Sequence, residues 1–232
     1  EAFTKQYNPK IRYPCIQPVT SDGYDANILN VEPSLAWGPS TYVGVGVVDP
    51  DKAFEFYGNL HSYLNRSGVD GVKVDAQGML SVLGTGLGGG PSLTRKMVHA
   101  LENSVKEKLN DGFIGCMCHP TENIYSFKQT PLARASDDFY PRDDRAQQQH
   151  ICSVAYNSLF LGEVVMPDWD CFHSDHPANK LHAIARAVGG CPVYVSDRVG
   201  ESDFEILKKL VLPDGTIYRA ENAGRPSRDC LF

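Results

Sequence analysis

From residue 49 onward, the apolar positions switch repeatedly between helical and strand-like spacing. Asp49 and Pro50 predict the start of a helix, because an acidic cap and a first-turn proline both favour one. Gly68 predicts its end, and its apolar face is predicted at Phe54, Tyr57, Leu60 and Leu64. Further helices are predicted at about 92–109, 146–160, 178–188 and 204–211. Short strands are predicted at Val69–Asp75, Phe113–Met117, Leu132–Ser136, Glu163–Met166 and Pro192–Ser196.

This alternation of strands and helices predicts an α/β fold of parallel βα units. Polar residues follow the predicted strands, at Asp75, His119, Asp137, Asp168 and Asp197. A (β/α)8 barrel of the TIM type has its active site at this end of its strands, and so does a doubly wound sheet. Five strands are fewer than the eight of a closed barrel. Either residues 1–48, with strand-like stretches at Ile11–Val19 and Tyr42–Val48, supply the others, or the chain holds only the later part of a barrel.

Composition narrows the class of protein. The 232 residues are 42% hydrophobic and 22% charged, which is typical of a globular domain. A net charge of −6 argues against a nucleic-acid partner, whose phosphates attract basic surfaces. No apolar run approaches the roughly 18 residues that span a bilayer, so no membrane partner is expected. Seven cysteines without a framework spacing indicate a reducing compartment.

Lys73 and Asp75 form the strongest chemical pattern. Strand side chains alternate, so both residues project from one face of the predicted strand. An aspartate at a strand end, with a lysine beside it, is a candidate glycosidase nucleophile. Taken alone, the pattern more often marks an ordinary salt bridge at the edge of a strand.

A second acidic element, Arg134-Ala-Ser-Asp137-Asp138, follows another predicted strand. Adjacent acids point to opposite sides if the strand continues, so one of them would face a pocket and could serve as a general acid. The alternative is a solvated acidic turn with Arg134 as a local partner. Two carboxyl groups about 5–5.5 Å apart would indicate a retaining glycosidase.

Other candidates have simpler explanations. Cys116, Cys118 and His119 resemble part of a zinc site, but no second ligand pair completes it, and core cysteines beside a pocket histidine are the more usual arrangement. The loop Gly84–Gly90 lacks the Gly-Lys-Ser/Thr ending of a phosphate loop. We therefore expect no metal and no organic cofactor.

Two residues leave their roles open. Trp169 could stack on a sugar ring or belong to the core. Asp197 could line a pocket or cap the following helix.

Long stretches of the chain resemble the plant raffinose synthase and alkaline α-galactosidase family, also called seed imbibition proteins, of the glycoside hydrolase family thirty-six type. The resemblance extends over nearly the whole chain and is carried by FYGNLHSYLNRSGVDGVKVDAQ, SLTRKMVHALE, RASDDFYPRD, VAYNSLFLGE, PDWDCFHSDHP, GGCPVYVSDRVG, LKKLVLPDG and GRPSRDCLF. It implies a (β/α)8 catalytic barrel with retaining chemistry. It also implies Asp75 as nucleophile and Asp137 as acid/base, with Asp138 as the alternative. Galactose contacts are implied at Lys73 and Arg134, and further substrate contacts at Asp138, Cys116, His119, Trp169 and Asp197.

Members of this family are longer than the chain. We therefore expect residues 1–48 to be an irregular lead-in from the earlier barrel, 49–212 to be βα units of the catalytic barrel, and 213–232 to start a connection to a C-terminal β domain. The segment PDWDCFHSDHPANKLHA departs from the relatives' usual wording beside the pocket, which could alter the acceptor site.

The wording of RASDDFYPRD and GRPSRDCLF favours the alkaline α-galactosidase branch, which hydrolyses raffinose-family oligosaccharides. The alternatives are galactosyl transfer from galactinol to sucrose and a non-catalytic sugar-binding fragment. The resemblance implies small oligosaccharide partners (galactinol, sucrose, raffinose and stachyose). We expect a cytoplasmic protein, with a plastid as the other location.

Overall fold

The computed structural model describes residues 11–12, 30, 46–81, 83–84 and 86–230. Its strands are β1 (Ile11–Arg12), β2 (Gly46–Val47), β3 (Val72–Val74), β4 (Phe113–Gly115), β5 (Leu132–Arg134) and β6 (Met166–Asp168). Its α-helices are α1 (Ala53–Arg66), α2 (Gly90–Leu109), α3 (Thr121–Ile124), α4 (Ala146–Leu161), α5 (Asn179–Gly189) and α6 (Phe204–Leu207). Short 3-10 helices cover Pro50–Lys52, Gln77–Ser81, Lys208–Leu210 and Arg228–Cys230.

The chain divides into two compact units. Unit 1 takes the described residues of Glu1–Gly71, Gly78–Gly112 and His119–Lys128. Unit 2 takes those of Val72–Gln77, Phe113–Cys118 and Gln129–Phe232. In the structure, both units draw on several stretches of the chain. The sequence-based domain boundaries therefore remain a prediction.

Helix α1 of unit 1 begins as the sequence predicts. The Asp49 carboxylate accepts a hydrogen bond from the Asp51 amide at 3.1 Å, and Pro50 occupies the first turn. The predicted apolar face is wrong at its first position, because Phe54 is 45% exposed while Ala53 is fully buried. The buried face follows a four-residue spacing through Ala53, Tyr57 and His61, which rotates it by one residue. His61 is tolerated there because its Nδ1 lies 2.8 Å from the Ser104 hydroxyl of α2.

The core of unit 1 lies between α1 and α2. Its buried members are Val47, Ala53, Leu83, Leu93, Met97 and Ala100. The glycine-rich loop before α2 closes on itself, since the Gly89 amide donates to the Gly84 carbonyl at 3.0 Å. The antiparallel pair of β1 and β2 accounts for the short described parts of the two strand-like stretches within 1–48, and the rest of both predictions lies outside the described residues.

Unit 2 is built on a four-stranded parallel sheet in the order β3-β4-β5-β6. Consecutive parallel strands are joined by helical connections, so the predicted α/β class and its parallel βα units are confirmed. The described residues establish this open sheet, and the closed barrel remains a prediction.

Two predicted strands differ from the structure. The strand predicted at Glu163–Met166 lies at Met166–Asp168, because the amides of Val164 and Val165 are held by the Leu161 carbonyl in the last turn of α4. The strand predicted at Pro192–Ser196 is reduced to one parallel bridge between Phe172 and Val195.

The apolar core of unit 2 includes residues of α5 and α6. Its buried apolar members are Phe139, Phe172, Ala183, Ile206 and Leu210. Arg186 of α5 is fully buried among them, with its guanidinium over the rings of Phe139 and Phe172. No helix in the described parts of the chain is both long and apolar enough to cross a bilayer.

Candidate active site at the strand ends

Four polar side chains lie in one row across the sheet of unit 2. The register aligns Val74 with Gly115, Gly115 with Ala133, and Arg134 with Asp168. Residues at the same level of a parallel sheet project to the same face. One position beyond the end of β3 and β4, this places Asp75 and Cys116 level with Arg134 and Asp168. We call Asp75, Cys116, Arg134 and Asp168 the strand-end row.

Cys116 lies between Asp75 and Arg134 in the row. Arg134 Nη1 approaches its sulfur at 4.0 Å, and the charge of Asp75 on the other side acts to raise the pKa of its thiol. Burial raises the pKa of the Cys116 thiol to about 11, although Arg134 and Lys73 act in the opposite direction. The thiol therefore stays protonated at neutral pH, which suits a hydrogen-bond donor and not a nucleophile.

Arg134 is the hub of the row and is only 1% exposed. Its Nη2 donates to Asp170 Oδ2 at 2.7 Å and to the Asp137 carbonyl at 3.1 Å, and lies 3.1 Å from Asp138 Oδ1. Its Nε lies 3.8 Å from Asp168 Oδ2. Burial alone would lower the pKa of Arg134, but the surrounding carboxylates outweigh it and raise this pKa. The guanidinium therefore stays charged and ties the loop after β5 to the loop after β6.

Asp168 and Asp170 both lie beside this guanidinium, but their pKa values shift in opposite directions. Asp168 is fully buried, and burial raises its pKa despite the hydrogen bond from Tyr194 at 2.8 Å. Burial also acts to raise the pKa of Asp170, but the amides of Phe139 and Cys171 together with Arg134 lower it overall. Asp170 is thus the ionised partner of Arg134.

The loop that carries Asp170 is held from behind by Arg186 of α5. The guanidinium of Arg186 donates to the carbonyls of Trp169, Asp170 and Cys171 at 2.9, 3.2 and 2.9 Å. Three consecutive carbonyls therefore face one buried cation, which fixes the backbone of the loop. Arg186 thus fixes the loop whose Asp170 pairs with Arg134 of the strand-end row.

The backbone leaves three of the four strands in an uncommon conformation. Ala76, Met117 and Asp170 each lie two residues past a strand and have φ values of 57°, 47° and 62°. Residues with a side chain rarely adopt this left-handed region, and such strain concentrates at functional sites. The hydrogen bond from the Ala76 amide to Asp75 Oδ1, at 2.7 Å, accompanies the first of these turns.

The two acids after β5 have different environments. Asp138 is 61% exposed at its side chain and pairs with Arg134. Asp137 is also exposed, and its Oδ1 accepts the Asp138 amide at 2.8 Å. Arg134 contacts Asp137 through its backbone carbonyl. The carboxyl of Asp138 thus has a cationic partner in Arg134, while the carboxyl of Asp137 is exposed to solvent.

Lys73 lies on the same face as the row, as its spacing from Asp75 predicts. Its positive charge favours the ionised forms of Cys116 and Asp170, although burial still raises the pKa of Cys116 overall. His119 belongs to unit 1, in the loop before α3, where it is half-buried. The structure thus brings together Asp75, Lys73, Cys116, Arg134, Asp137 and Asp138 in unit 2.

Trp169 and Asp197 lie apart from the row. Trp169 is 5% exposed, and a methyl group added to Gly189 of α5 would come within 2.8 Å of its ring. This packing fits the alternative of a core tryptophan. Asp197 accepts hydrogen bonds from the amide and hydroxyl of Ser174, at 2.7 and 2.5 Å. Burial alone would raise the pKa of Asp197, but these bonds and one from Ser202 lower it.

Within the described ranges, no group of three or more His, Cys, Asp or Glu side chains is arranged to hold a metal ion. Burial raises the pKa of Cys118 to about 12, so this thiol is also inert.

Asp170, Tyr194 and Arg186 are the members of the network that the sequence analysis missed. Asp168 and Asp170 are spaced like Lys73 and Asp75, so the same alternation could have singled them out. Tyr194 and Arg186 have no local signal, because the loop groups that they bind after β6 are 15–26 residues away.

Comparison with known proteins places the chain among sugar-transferring relatives. A family model described as raffinose synthase or seed imbibition protein Sip1 matches residues 7–232. An Arabidopsis thaliana protein named probable galactinol–sucrose galactosyltransferase 6 is 50% identical over 98% of the chain and 30% of its own length.

Two other relatives have related names. A galactinol–sucrose galactosyltransferase of Oryza sativa is 44% identical over 82% of the chain and 25% of its own length. A stachyose synthase of Pisum sativum is 38% identical over 94% of the chain and 26% of its own length. The chain thus spans less than a third of each of these relatives.

Proposed function

The chain belongs to the family of raffinose synthases and seed imbibition proteins, and we propose that it supplies the catalytic carboxyl groups of a retaining α-galactosyl-transferring site. The observation that carries this proposal is the strand-end row, which gathers Asp75 and Arg134 with the acids that Arg134 holds. We further propose that the four-stranded sheet is part of a (β/α)8 barrel, whose active site would lie at these strand ends.

In the proposed reaction, Asp75 attacks the anomeric carbon of an α-galactoside. The bond from that carbon to the leaving oxygen breaks, and Asp137 protonates this oxygen. The product is a covalent β-galactosyl-enzyme. Asp137 then removes a proton from the acceptor hydroxyl, whose oxygen displaces Asp75 and restores the α configuration.

The remaining residues of the cluster position these two acids. The Cys116 thiol lies level with Asp75 in the row, and Arg134 holds the backbone of Asp137 and the side chain of Asp138. Arg134 is too deeply buried to reach a sugar readily, so we assign it a positioning role. Lys73 is exposed and stays a candidate for contact with galactose hydroxyls.

We propose galactinol as donor and sucrose as acceptor. The relatives named as galactinol–sucrose galactosyltransferases support transfer more directly than hydrolysis. Hydrolysis uses the same galactosyl-enzyme with water as acceptor, and it is the second candidate because RASDDFYPRD and GRPSRDCLF resemble the alkaline α-galactosidase branch.

The test combines product analysis with chemical rescue. Raffinose formed from galactinol only when sucrose is present indicates transfer, and free galactose in both mixtures indicates hydrolysis. Asp75→Gly should lower turnover by about 10⁴-fold. Azide supplied with p-nitrophenyl α-galactoside should then give the β-galactosyl azide, because azide enters from the side that Asp75 occupied.

Asp137→Gly should lower turnover of galactinol by about 10²- to 10⁴-fold. It should give the α-galactosyl azide, because here azide attacks the intact galactosyl-enzyme from the other side. Asp138→Gly is the matched control and should give neither azide product. If Asp138→Gly gives the α azide in place of Asp137→Gly, the acid/base assignment moves by one residue. Binding of galactinol without any turnover would favour the sugar-binding alternative.

A further inference from the structure

Unit 2 has a concave region outside the strand-end row. A cavity of about 480 Å³ lies among three successive loops, which follow β5, β6 and the bridge at Val195. We call it the polar groove, and its charged or ionisable lining residues include Arg142, Asp144, His173, Asp175, Arg198 and Glu201. Its volume falls within the range of small-molecule sites.

The polar groove starts close to the candidate catalytic acids. Pro141, which lines it, lies three residues beyond Asp138, and His173 lies three residues beyond Asp170. Three residues of chain span at most about 11 Å even when extended. Two of the groove's walls are therefore continuous with the two loops that Arg134 ties together.

The charges of the groove are of mixed sign. Two arginines face three carboxylates, and Arg198 lies 4.0 Å from Glu201. A phosphate or other anion would call for an excess of positive charge, which is absent among these lining residues. Interspersed donors and acceptors instead match sugar hydroxyls, since each hydroxyl both donates and accepts.

One wall of the groove is fixed by a buried serine. The Ser174 amide and hydroxyl donate to Asp197, its hydroxyl accepts the Asp203 amide at 2.7 Å, and its carbonyl accepts from Asn179 at 2.5 Å. Ser174 is fully buried, while its neighbours His173 and Asp175 line the cavity. Such preorganisation reduces the ordering that a ligand must induce. Asp197 thus helps to fix the backbone between the lining residues His173 and Asp175.

We propose that the polar groove binds a neutral di- or oligosaccharide acceptor and so selects the molecule that receives the galactosyl group. The inference rests on the proposed function for the role of the bound sugar, but the binding site itself stands on the groove's geometry and charge.

A charge-neutral double variant tests it. Arg142→Ala/Asp175→Ala removes one cation and one anion from the groove. Arg145→Ala/Asp143→Ala is the matched control, because this exposed pair lies in the same loop region without lining the groove. Sucrose is titrated into each protein by calorimetry. In parallel, p-nitrophenyl α-galactoside is supplied with sucrose, and the ratio of raffinose to galactose is measured.

The groove variant should bind sucrose at least about tenfold more weakly than the control, since the loss of even one hydrogen bond to a charged group weakens binding by about that factor. The ratio of raffinose to galactose should fall by a similar factor. Turnover with an unchanged ratio, or sucrose binding equal to that of the control, would overturn the proposal. Absence of sucrose binding by the unaltered chain would also overturn it, as would a groove that binds inorganic phosphate in place of sucrose.

The two proposals fail separately. Sucrose binding that the groove variant weakens, in a chain that forms no galactosyl product, supports the groove and contradicts the catalytic proposal. Product formation that the groove variant leaves unaltered supports the catalytic proposal and contradicts the groove as acceptor site.

Discussion

At the scale of the residue, the strand-end row depends on one buried cation shared among several acids. Arg134 lies between Asp168 and Asp170, and all three are nearly or fully buried. An ion pair of this kind contributes little net stability compared with apolar residues. Removing one partner, however, leaves the charge of the other buried without compensation. The main effect of these ion pairs is therefore to fix the positions of Asp137 and Asp138, which Arg134 also contacts.

Arg134→Met should destabilise the chain by about 3–5 kcal/mol, because it leaves Asp168 and Asp170 buried without their cation. Urea unfolding measures this change in the free energy of unfolding. Adding Asp170→Asn should recover part of the loss, so the double variant should be less destabilised than the two single changes combined.

Arg145→Met is the control for that series. Arg145 is exposed and pairs with Asp143 at the surface, where water screens the charges, so its loss should leave the free energy of unfolding nearly unchanged. Equal losses for Arg134→Met and Arg145→Met would show that the buried pair does not hold the loops.

The sequence predicts this cluster only in part. The alternation of strand side chains is local, and it predicts that Lys73 and Asp75 share one face. Arg186 could not be identified in this way, because its hydrogen bonds reach carbonyls that α5 meets only after the chain has folded back.

At the scale of the element, the helices follow their local signals more closely than the strands do. Helix α1 begins at an acidic cap and ends near Gly68, whose φ of 81° suits only glycine well. The strands of the parallel sheet are only three residues long, so their limits depend on neighbouring strands. Val164 and Val165 favour a strand by composition, yet the last turn of α4 takes their amides. The strand predicted at Pro192–Ser196 shows the same dependence. The chain turns at Asp170, and the segment after this turn pairs with it only through the bridge between Phe172 and Val195.

The same substitution should have opposite effects in two helices. Gly58→Ala in α1 should raise the free energy of unfolding by about 0.5–1 kcal/mol, because an added methyl group meets no atom within 4 Å and alanine favours the helix. Gly189→Ala at the end of α5 should lower it by about 1–3 kcal/mol, because the methyl group would lie 2.8 Å from the ring of Trp169. Thermal unfolding of both variants checks the pair, and a change of the same sign in both would contradict it.

At the scale of the whole molecule, two buried histidines should make the fold sensitive to acid. Burial lowers the pKa of His150 to about 4 and that of His182 to about 3, and the nearby Arg186 acts in the same direction on both. Asp170 opposes this shift at His150, whereas Arg134 adds to it, and His150 and His176 add to the shift at His182. Both side chains are therefore neutral in the folded chain at neutral pH.

The sign of the effect follows from proton binding. An unfolded chain has histidines with pKa values near 6.5, so between about pH 6.5 and 4 it binds more protons than the folded chain. The free energy of unfolding should thus fall as the pH falls through this window, by up to about 1.4 kcal/mol per pH unit for each histidine. The raised pKa of Asp168 acts the other way, and the lowered pKa values of Asp170 and Asp197 add a further loss at lower pH.

Two substitutions separate the histidines, because their hydrogen bonds differ. Neither ring nitrogen of His150 has a hydrogen-bond partner among the described residues, while His182 contacts Gln147 at 2.9 Å and Arg186 at 2.8 Å. His150→Phe should therefore match or exceed the original stability at pH 7 and reduce the loss between pH 6.5 and 4. His182→Phe should reduce the same loss but lower stability at pH 7, because it removes a partner from the buried Arg186. Urea unfolding across this pH range measures both, and an acid loss that persists unchanged in His150→Phe would show that this histidine is charged in the folded chain.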